Sequence, residues 1–474
     1  MFRQLGVAAG AMALLLIACA GVTQARVVDV SISTTRTGPA VPSRFIGLSF
    51  EASALPSLAR GATHGNLIAL LRSLGPGVLR FGGLSLDGGT VFSAHPVEAP
   101  SWATTVIGPS DLDRLRTLLR RTGWRAILGI QLAHFDPRTG AREAAAASRR
   151  LRGMLAAVEI GNEPDAFVFR GQRPGDWTYE DYRAEVRAYR RAIAAMAPGV
   201  RIAGPDTNSL EWLDRFARDE RPALLTPHFY PLTRCFGPLP TLERLLSAVA
   251  LRRQDRIIDR VASHARRNQL PVRLGETNNV ACGGQAGVSN TYGAALWALR
   301  YMVAAARAGI FGVNFHTLPD SCLGYSPICG AAHGDLPVGE LTAMPEWYAM
   351  LVFRQLVGKR LLASSVSGRH STLTAAAFAS RSGRRVDVLL INTGAGSRSR
   401  LSVRLHLGAR FRSRGILRLM ADALGASSPT LGGTRVTRQG SWRPASRLPQ
   451  AATDGEGLRV SLPAPGAMLV RLAR

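Results

Sequence analysis

Apolar residues recur along this chain in two rhythms. Between residues 41 and 358, short continuous apolar runs alternate with longer stretches whose apolar positions return every three or four residues. The runs are "RFIGLSFE", "GVLRFGG", "RAILGIQL", "AAVEIGNEP", "RIAGPD", "LLTPHFYP", "PVRLGET" and "GVNFHTL", each the length and composition of a buried strand. Between them lie amphipathic helical patterns such as "DLDRLRTLLRR" and "YEDYRAEVRAYRRAIAAMA". Eight strands, each followed by a helix, predict an α/β fold, a (β/α)8 TIM barrel with loop insertions over 41–358. Past Leu361 the period becomes two, in "STLTAAAFAS", "RRVDVLLINTG", "RLSVRLHL" and "AMLVRLAR", which predicts a β-sandwich over 359–474. The segment 26–40, "RVVDVSIS" and onward, is strand-like with no helix after it, and is expected to join that β domain.

The first 25 residues have a different logic. Arg3, the apolar run "LGVAAGAMALLLIACA" and the small residues before Ala25 have the form of an export signal cleaved after Ala25. The stretch "LIAC" also fits a bacterial lipoprotein box, so the alternative is a lipid at Cys19 and a membrane-tethered protein. Export to the periplasm or the medium is the expectation in either case.

Composition adds constraints. With 474 residues and 46% apolar content, the chain can bury a large core. Its 59 basic and 32 acidic residues give a net charge of +27, which favours polyanionic partners such as a sulfated glycan. A second reading stands beside it: Lys359 is the only lysine, and many arginines fall in helical stretches where they form a solvated face. Nucleic acid is not an expected partner, since no binding motif or aromatic-basic interleaving occurs. Cys235, Cys282, Cys322 and Cys329 suit disulfides in an exported chain, with three pairings open. No CxxC or HExxH motif occurs, so neither a metal nor a cofactor is expected.

Barrel enzymes carry their chemistry at the carboxyl ends of the strands. Glu51 ends the first predicted strand, Asn162 and Glu163 the fourth, His228 and Tyr230 the sixth, and Glu276 the seventh. Glu163 and Glu276 share one setting, an apolar strand and a glycine before the acid, in "EIGNEP" and "VRLGET". A lone acid there is more often a turn carboxylate; two across one barrel mouth suit glycosidic cleavage. One protonates the leaving oxygen, and the other attacks the anomeric carbon or activates water. The acid must hold its proton near neutral pH while its partner stays ionised. Glu163 is assigned as general acid/base, with the Asn162 amide beside it for a sugar hydroxyl, and Glu276 as nucleophile, with Tyr230 as its hydrogen-bond donor. His228 is expected to be a packed, hydrogen-bonded histidine.

These residues resemble the retaining barrel glycosidases, and "VLRFGG" (78–83), "GETNNVACGG" (275–284), "GVNFH" (312–316) and "PEWYAMLVFRQLVG" (345–358) resemble glycoside hydrolase family 79, which contains heparanase and microbial β-glucuronidases. The resemblance implies a barrel plus a sandwich and hydrolysis of β-linked glucuronic acid with retention, on an oligo- or polysaccharide, exo or endo. It also implies that Glu51 grips hydroxyls on the far side of the sugar ring. The substrate carboxylate would meet backbone N–H groups at Gly283 and Gly284 and the hydroxyl of Tyr325. Two departures stand out. Phe315 replaces the tyrosine of heparanase's N-Y-H stretch, and Cys282 precedes the glycines, where a bond to Cys235 would staple the sixth and seventh loops. The alternative from another class is a surface glycan-binding lipoprotein of the same fold without catalysis.

Overall fold

The computed structural model describes residues 27–94, 99–330, 339–368, 372–394, 400–407, 411–453 and 457–474. The expected export signal and Cys19 lie outside the described residues.

Seven parallel strands form one sheet, in the order His228–Phe229, Arg273–Thr277, Gly312–His316, Ile46–Glu51, Val78–Gly82, Arg125–Ile130 and Leu155–Ile160. The short strands Ala203–Gly204 and Leu224–Leu225 pair with each other, also in parallel. Single bridges, Val158 to Ile202 and Leu225 to Val272, join this pair to both sides, so parallel pairing runs round a TIM-barrel-like ring. Side chains alternate across it. Along Gly312–His316, Phe315 packs outward against Trp297 and Tyr301 of the helix Tyr292–Ala308, whereas Asn314 and His316 face polar groups inside the ring. Phe315 is therefore core, and a phenol oxygen is not missing from the mouth.

The helices follow their capping chemistry. Helix Pro109–Thr122 starts where Asp111 accepts from the Gly108 N–H at 2.9 Å, buries Leu112, Leu115, Leu118 and Leu119 on one face, and stops at Gly123 in the left-handed region. The long helical pattern from 241 is broken into Leu242–Leu246 and Ala248–Arg267, because Ser247 turns the chain and its hydroxyl caps the second piece. On the helix Tyr179–Met196, Arg183, Arg187 and Arg190 all converge on Glu220, so part of the arginine excess is paired on the protein's own surface.

The period-two region forms a single ten-stranded sheet. The strand Val27–Ala40 lies within it, antiparallel to Arg360–Val366 and parallel to Arg400–Leu407. Alternation buries both faces: Leu389 and Ile391 join the barrel's core, while Val388 and Leu390 share a second core with Val28, Val403, Val460 and Val470. This packing ties the amino-terminal strand and the carboxyl-terminal strands to one another and to the back of the barrel.

Candidate active site

Arg80 sits inside the ring with no solvent exposure, on a strand whose other residues are apolar or glycine. Its Nε donates to Glu159 at 2.8 Å, one Nη to Ser49 and Glu276 at 2.9 Å each, and the other to Asn162 at 2.9 Å and Asp206 at 2.7 Å. Burial opposes its charge, but Asp206, Glu159 and Glu276 outweigh that and keep it protonated. Burial and the neighbouring Asp206 push Glu159 up, while the Arg80 guanidinium draws it down. One guanidinium thus orders five side chains, Ser49, Glu159, Asn162, Asp206 and Glu276.

Glu276 ends the strand Arg273–Thr277 and is fixed at both oxygens: Tyr230 donates to Oε1 at 2.8 Å and Arg80 to Oε2 at 2.9 Å. His316 Nδ1 stands 3.6 Å from Oε2. On the far side, Glu51 accepts from the Ser85 N–H at 2.7 Å and lies 3.3 Å from His316 Nε2. Burial would raise Glu51, yet His316 and Ser85 hold it down at about 2. Gly83 is required here: its φ is 72°, and a Cβ would stand 2.5 Å from the Glu51 carboxylate.

Glu163 takes a left-handed backbone conformation, φ 51° and ψ 58°, held by its N–H donating to the Asp206 carbonyl at 2.7 Å. Its carboxylate meets Arg170 at Oε2, and Asn208 and His228 Nδ1 at Oε1, the last at 3.1 Å. His228 is buried between two acids, its Nε2 lying 3.4 Å from Asp206. Burial would raise Glu163, but His228 and Arg170 prevail and bring it to about 2. Burial would lower His228, but Glu276, Asp206 and Glu163 lift it to about 10. Two cationic donors thus face the Glu163 carboxylate and favour its ionised form, while the acids around His228 favour the protonated imidazole. One ligating atom each of Glu163, His228 and Glu276 lie within 4.8 Å of one another.

Asn162 is oriented by its neighbours. Its N–H donates to Asp87 at 2.7 Å, and its side-chain oxygen accepts from Arg80 and from the Gly83 N–H, leaving the amide nitrogen as the group it can offer. Gly283 and Gly284 both have φ of 84°, and a Cβ on Gly284 would meet the Tyr325 nitrogen at 2.4 Å. Their carbonyls accept from Tyr325 N–H and Arg234, while among the described residues neither glycine N–H has an acceptor. Tyr325 is buried with its ring 5.8 Å from that of Tyr230 and 5.7 Å from His316. Disulfides join Cys235 to Cys282 and Cys322 to Cys329, bracing the loops that carry Tyr230, the glycine turn and Tyr325.

Glu163, His228 and Glu276 are a metal-like trio only in composition. The two carboxylates already receive Arg170, Asn208, Arg80 and Tyr230, and a cation there would face two guanidinium groups.

Sequence reasoning selected Glu51, Asn162, Glu163, Tyr230, Glu276, Gly283, Gly284 and Tyr325, and all line this one region. It passed over Arg80, Asp206, His316, Asn208 and Arg170. Arg80 had a signal, a charge inside an otherwise apolar strand; Asp206 had another, since "RIAGPD" repeats the strand, glycine, acid pattern with one proline inserted. Arg170, seven residues beyond Glu163 in a loop, had none.

Comparison with known proteins adds names. No family model matches the chain. It is 31% identical to a β-glucuronidase of Aspergillus niger over 35% of this chain and 34% of that protein. It is 25% identical to heparanase of Gallus gallus over 74% of this chain and 76% of that protein. The match therefore spans about a third of one curated relative and about three quarters of the other. Among solved structures it is similar to a 4-O-α-L-rhamnosyl-β-D-glucuronidase from Fusarium oxysporum 12S, with TM-score 0.69, 22% identity, and coverage of 93% of this chain and 99% of that one. It is also similar to an arabinofuranosidase of family GH51 from Xanthomonas axonopodis pv. citri, with TM-score 0.67, 14% identity and coverage of 94% and 99%. These two structures share the fold. The named relatives are glycosidases, in agreement with the family resemblance of the sequence.

Proposed function

We propose that this protein is a retaining glycoside hydrolase of family 79 that cleaves β-linked glucuronic acid from glycans or glycoconjugates. The observation that carries the reading is the pair of buried glutamates at strand ends, with oxygens within 4.8 Å, one of them fixed at both oxygens by Arg80 and Tyr230. Carboxyl groups about 5 Å apart suit direct attack rather than an intervening water.

In the first step Glu276 attacks the anomeric carbon as the bond to the leaving oxygen breaks, and that oxygen takes a proton from Glu163. In the second, water attacks the same carbon, gives a proton to Glu163 and releases the Glu276 carboxylate. The proton on Glu163 comes from His228 across the Nδ1 to Oε1 hydrogen bond. A bound uronate brings a negative charge that favours protonation of nearby carboxylates. The Asn162 amide nitrogen is the donor for the 2-hydroxyl, and Glu51 accepts from hydroxyls across the ring. Selection for the uronate rests on the N–H groups of Gly283 and Gly284, which have no acceptor among the described residues, with Tyr325 beside them.

The test is turnover of a chromogenic β-glucuronide against the β-glucoside and β-galactoside of the same phenol. Strong preference for the uronide is expected; equal turnover of all three, or none of any uronide including a polymer, overturns the reading.

For the whole chain, we read 41–358 as the catalytic barrel and 359–474 with the strand from 26 to 40 as a sandwich folded over one core. Val28, Val388, Val403 and Val460 in a shared core support this. Export, by a signal ending at Ala25 or with a lipid at Cys19, is supported by the two disulfides. The mass of the mature amino terminus distinguishes these two routes.

A further inference from the structure

Phe169 and Phe236 are 78% and 65% exposed, an unusual display for two phenyl rings in contact. Their centroids are 6.0 Å apart and their planes cross at 75°, edge to face. They come from different loops. Phe169 lies six residues beyond Glu163 and next to Arg170, whose guanidinium pairs with Glu163 and donates to the Asn162 carbonyl at 3.1 Å. Phe236 adjoins Cys235, which is bonded to Cys282 beside the glycine turn, and Arg234 donates to the Gly284 carbonyl at 2.9 Å. Both rings are thus carried on backbone tied to the floor of the site, yet their own faces are open to solvent.

We propose that Phe169 and Phe236 form an aromatic shelf that receives the ring on the leaving-group side of the scissile bond. The inference rests on the glucuronidase reading and extends it to substrate choice. The leaving oxygen must lie against the Glu163 carboxyl group to take its proton, so the group attached to that oxygen extends over the loop that carries Phe169. That loop reaches Phe236 through the ring contact. What a phenyl shelf offers is dispersion and desolvation against a flat apolar face, with no hydrogen bond to satisfy. The C–H face of a pyranose and an aryl aglycone share that chemistry. A methyl aglycone is too short to use it.

The test uses the full chain with Phe169→Ala, Phe236→Ala and both together, each variant compared with the parent protein on methyl β-glucuronide, 4-nitrophenyl β-glucuronide and β-glucuronyl-N-acetylglucosamine. A loss of about 3- to 10-fold in kcat/KM for each ring removed is expected on ring-bearing leaving groups. Methyl β-glucuronide should change little, and Phe169→Tyr should retain the parent rates. A loss confined to the aryl substrate assigns the shelf to aryl aglycones; a loss confined to the disaccharide assigns it to a sugar. Equal losses on all three substrates, or no loss on any, overturn the proposal. Failure of the parent protein on every glucuronide is a different result, because it overturns the function on which the shelf depends.

Discussion

Arg80 donates to Glu276 Oε2 at 2.9 Å from inside the barrel, and the same side chain holds Glu159, Asp206 and Asn162. Removing it would leave buried carboxylates without their cation. Arg80→Met is expected to cost about 3–5 kcal/mol of stability, the usual penalty for breaking a buried ion pair on one side. Arg80→Lys keeps a charge but loses the fork that reaches several acceptors at once. It should melt between the two, with kcat reduced about 10²-fold or more because Glu276 loses its orientation. Thermal melts and kcat on one substrate check this; an Arg80→Met protein as stable and active as the parent would remove Arg80 from the argument.

Much of this site was legible in the sequence because strand ends carry local signs. Glu163 and Glu276 each follow an apolar run and a glycine, and a barrel fixes where such ends meet. Arg80 was harder, since a single charge in an apolar strand reads equally well as an edge residue reaching solvent. What decides it is the three acids around it, from residues 159, 206 and 276, and no local pattern links them. The fold shows the same limit. The strand Val27–Ala40 was visible by period, but its parallel pairing with Arg400–Leu407 joins segments about 370 residues apart. Likewise the direction of the Glu163 pKa followed from His228 and Arg170, which only the folded chain brings to it.

Glu163 and Glu276 should fail differently when altered. In Glu276→Gln no glycosyl ester forms, so every substrate is affected alike. In Glu163→Gln the first step loses only the proton, which matters in proportion to how poor the leaving group is. We expect kcat/KM of Glu163→Gln to fall by about 10²–10⁴-fold on an alkyl glucuronide and far less on a 4-nitrophenyl glucuronide. Identical losses on both substrates would take the acid role from Glu163.

The spacing of the two glutamates predicts the stereochemistry. Inverting enzymes need about 6.5–9.5 Å between carboxyl groups to seat a water, and retaining ones about 5–5.5 Å. With oxygens within 4.8 Å, the first product released from a β-glucuronide should be the β anomer, followed by mutarotation. Proton NMR of the anomeric signals in the first minutes reads this directly. Early α anomer would show that Glu276 does not attack carbon.

The Glu163 and His228 pair also sets a pH dependence of stability. His228 is lifted from its ordinary 6.5 to about 10, by Glu276, Asp206 and Glu163 against burial and against Arg80. A group raised on folding stabilises fully below its unfolded value and loses that contribution as pH climbs through its folded value. The His228 contribution should therefore be complete below about pH 6.5 and fade toward about pH 10. Glu163 has the opposite sign: lowered to about 2, it stabilises above its ordinary 4.5 and loses this as pH falls toward 2. Melting temperatures between pH 6 and 10 should thus decline for the parent protein and stay flatter for His228→Gln. The variant should start lower at pH 6 and approach the parent near pH 10, because by then the parent has lost the same charge. Parallel curves across that window would mean that His228 is uncharged in the fold, and the proton carried to Glu163 would need another source.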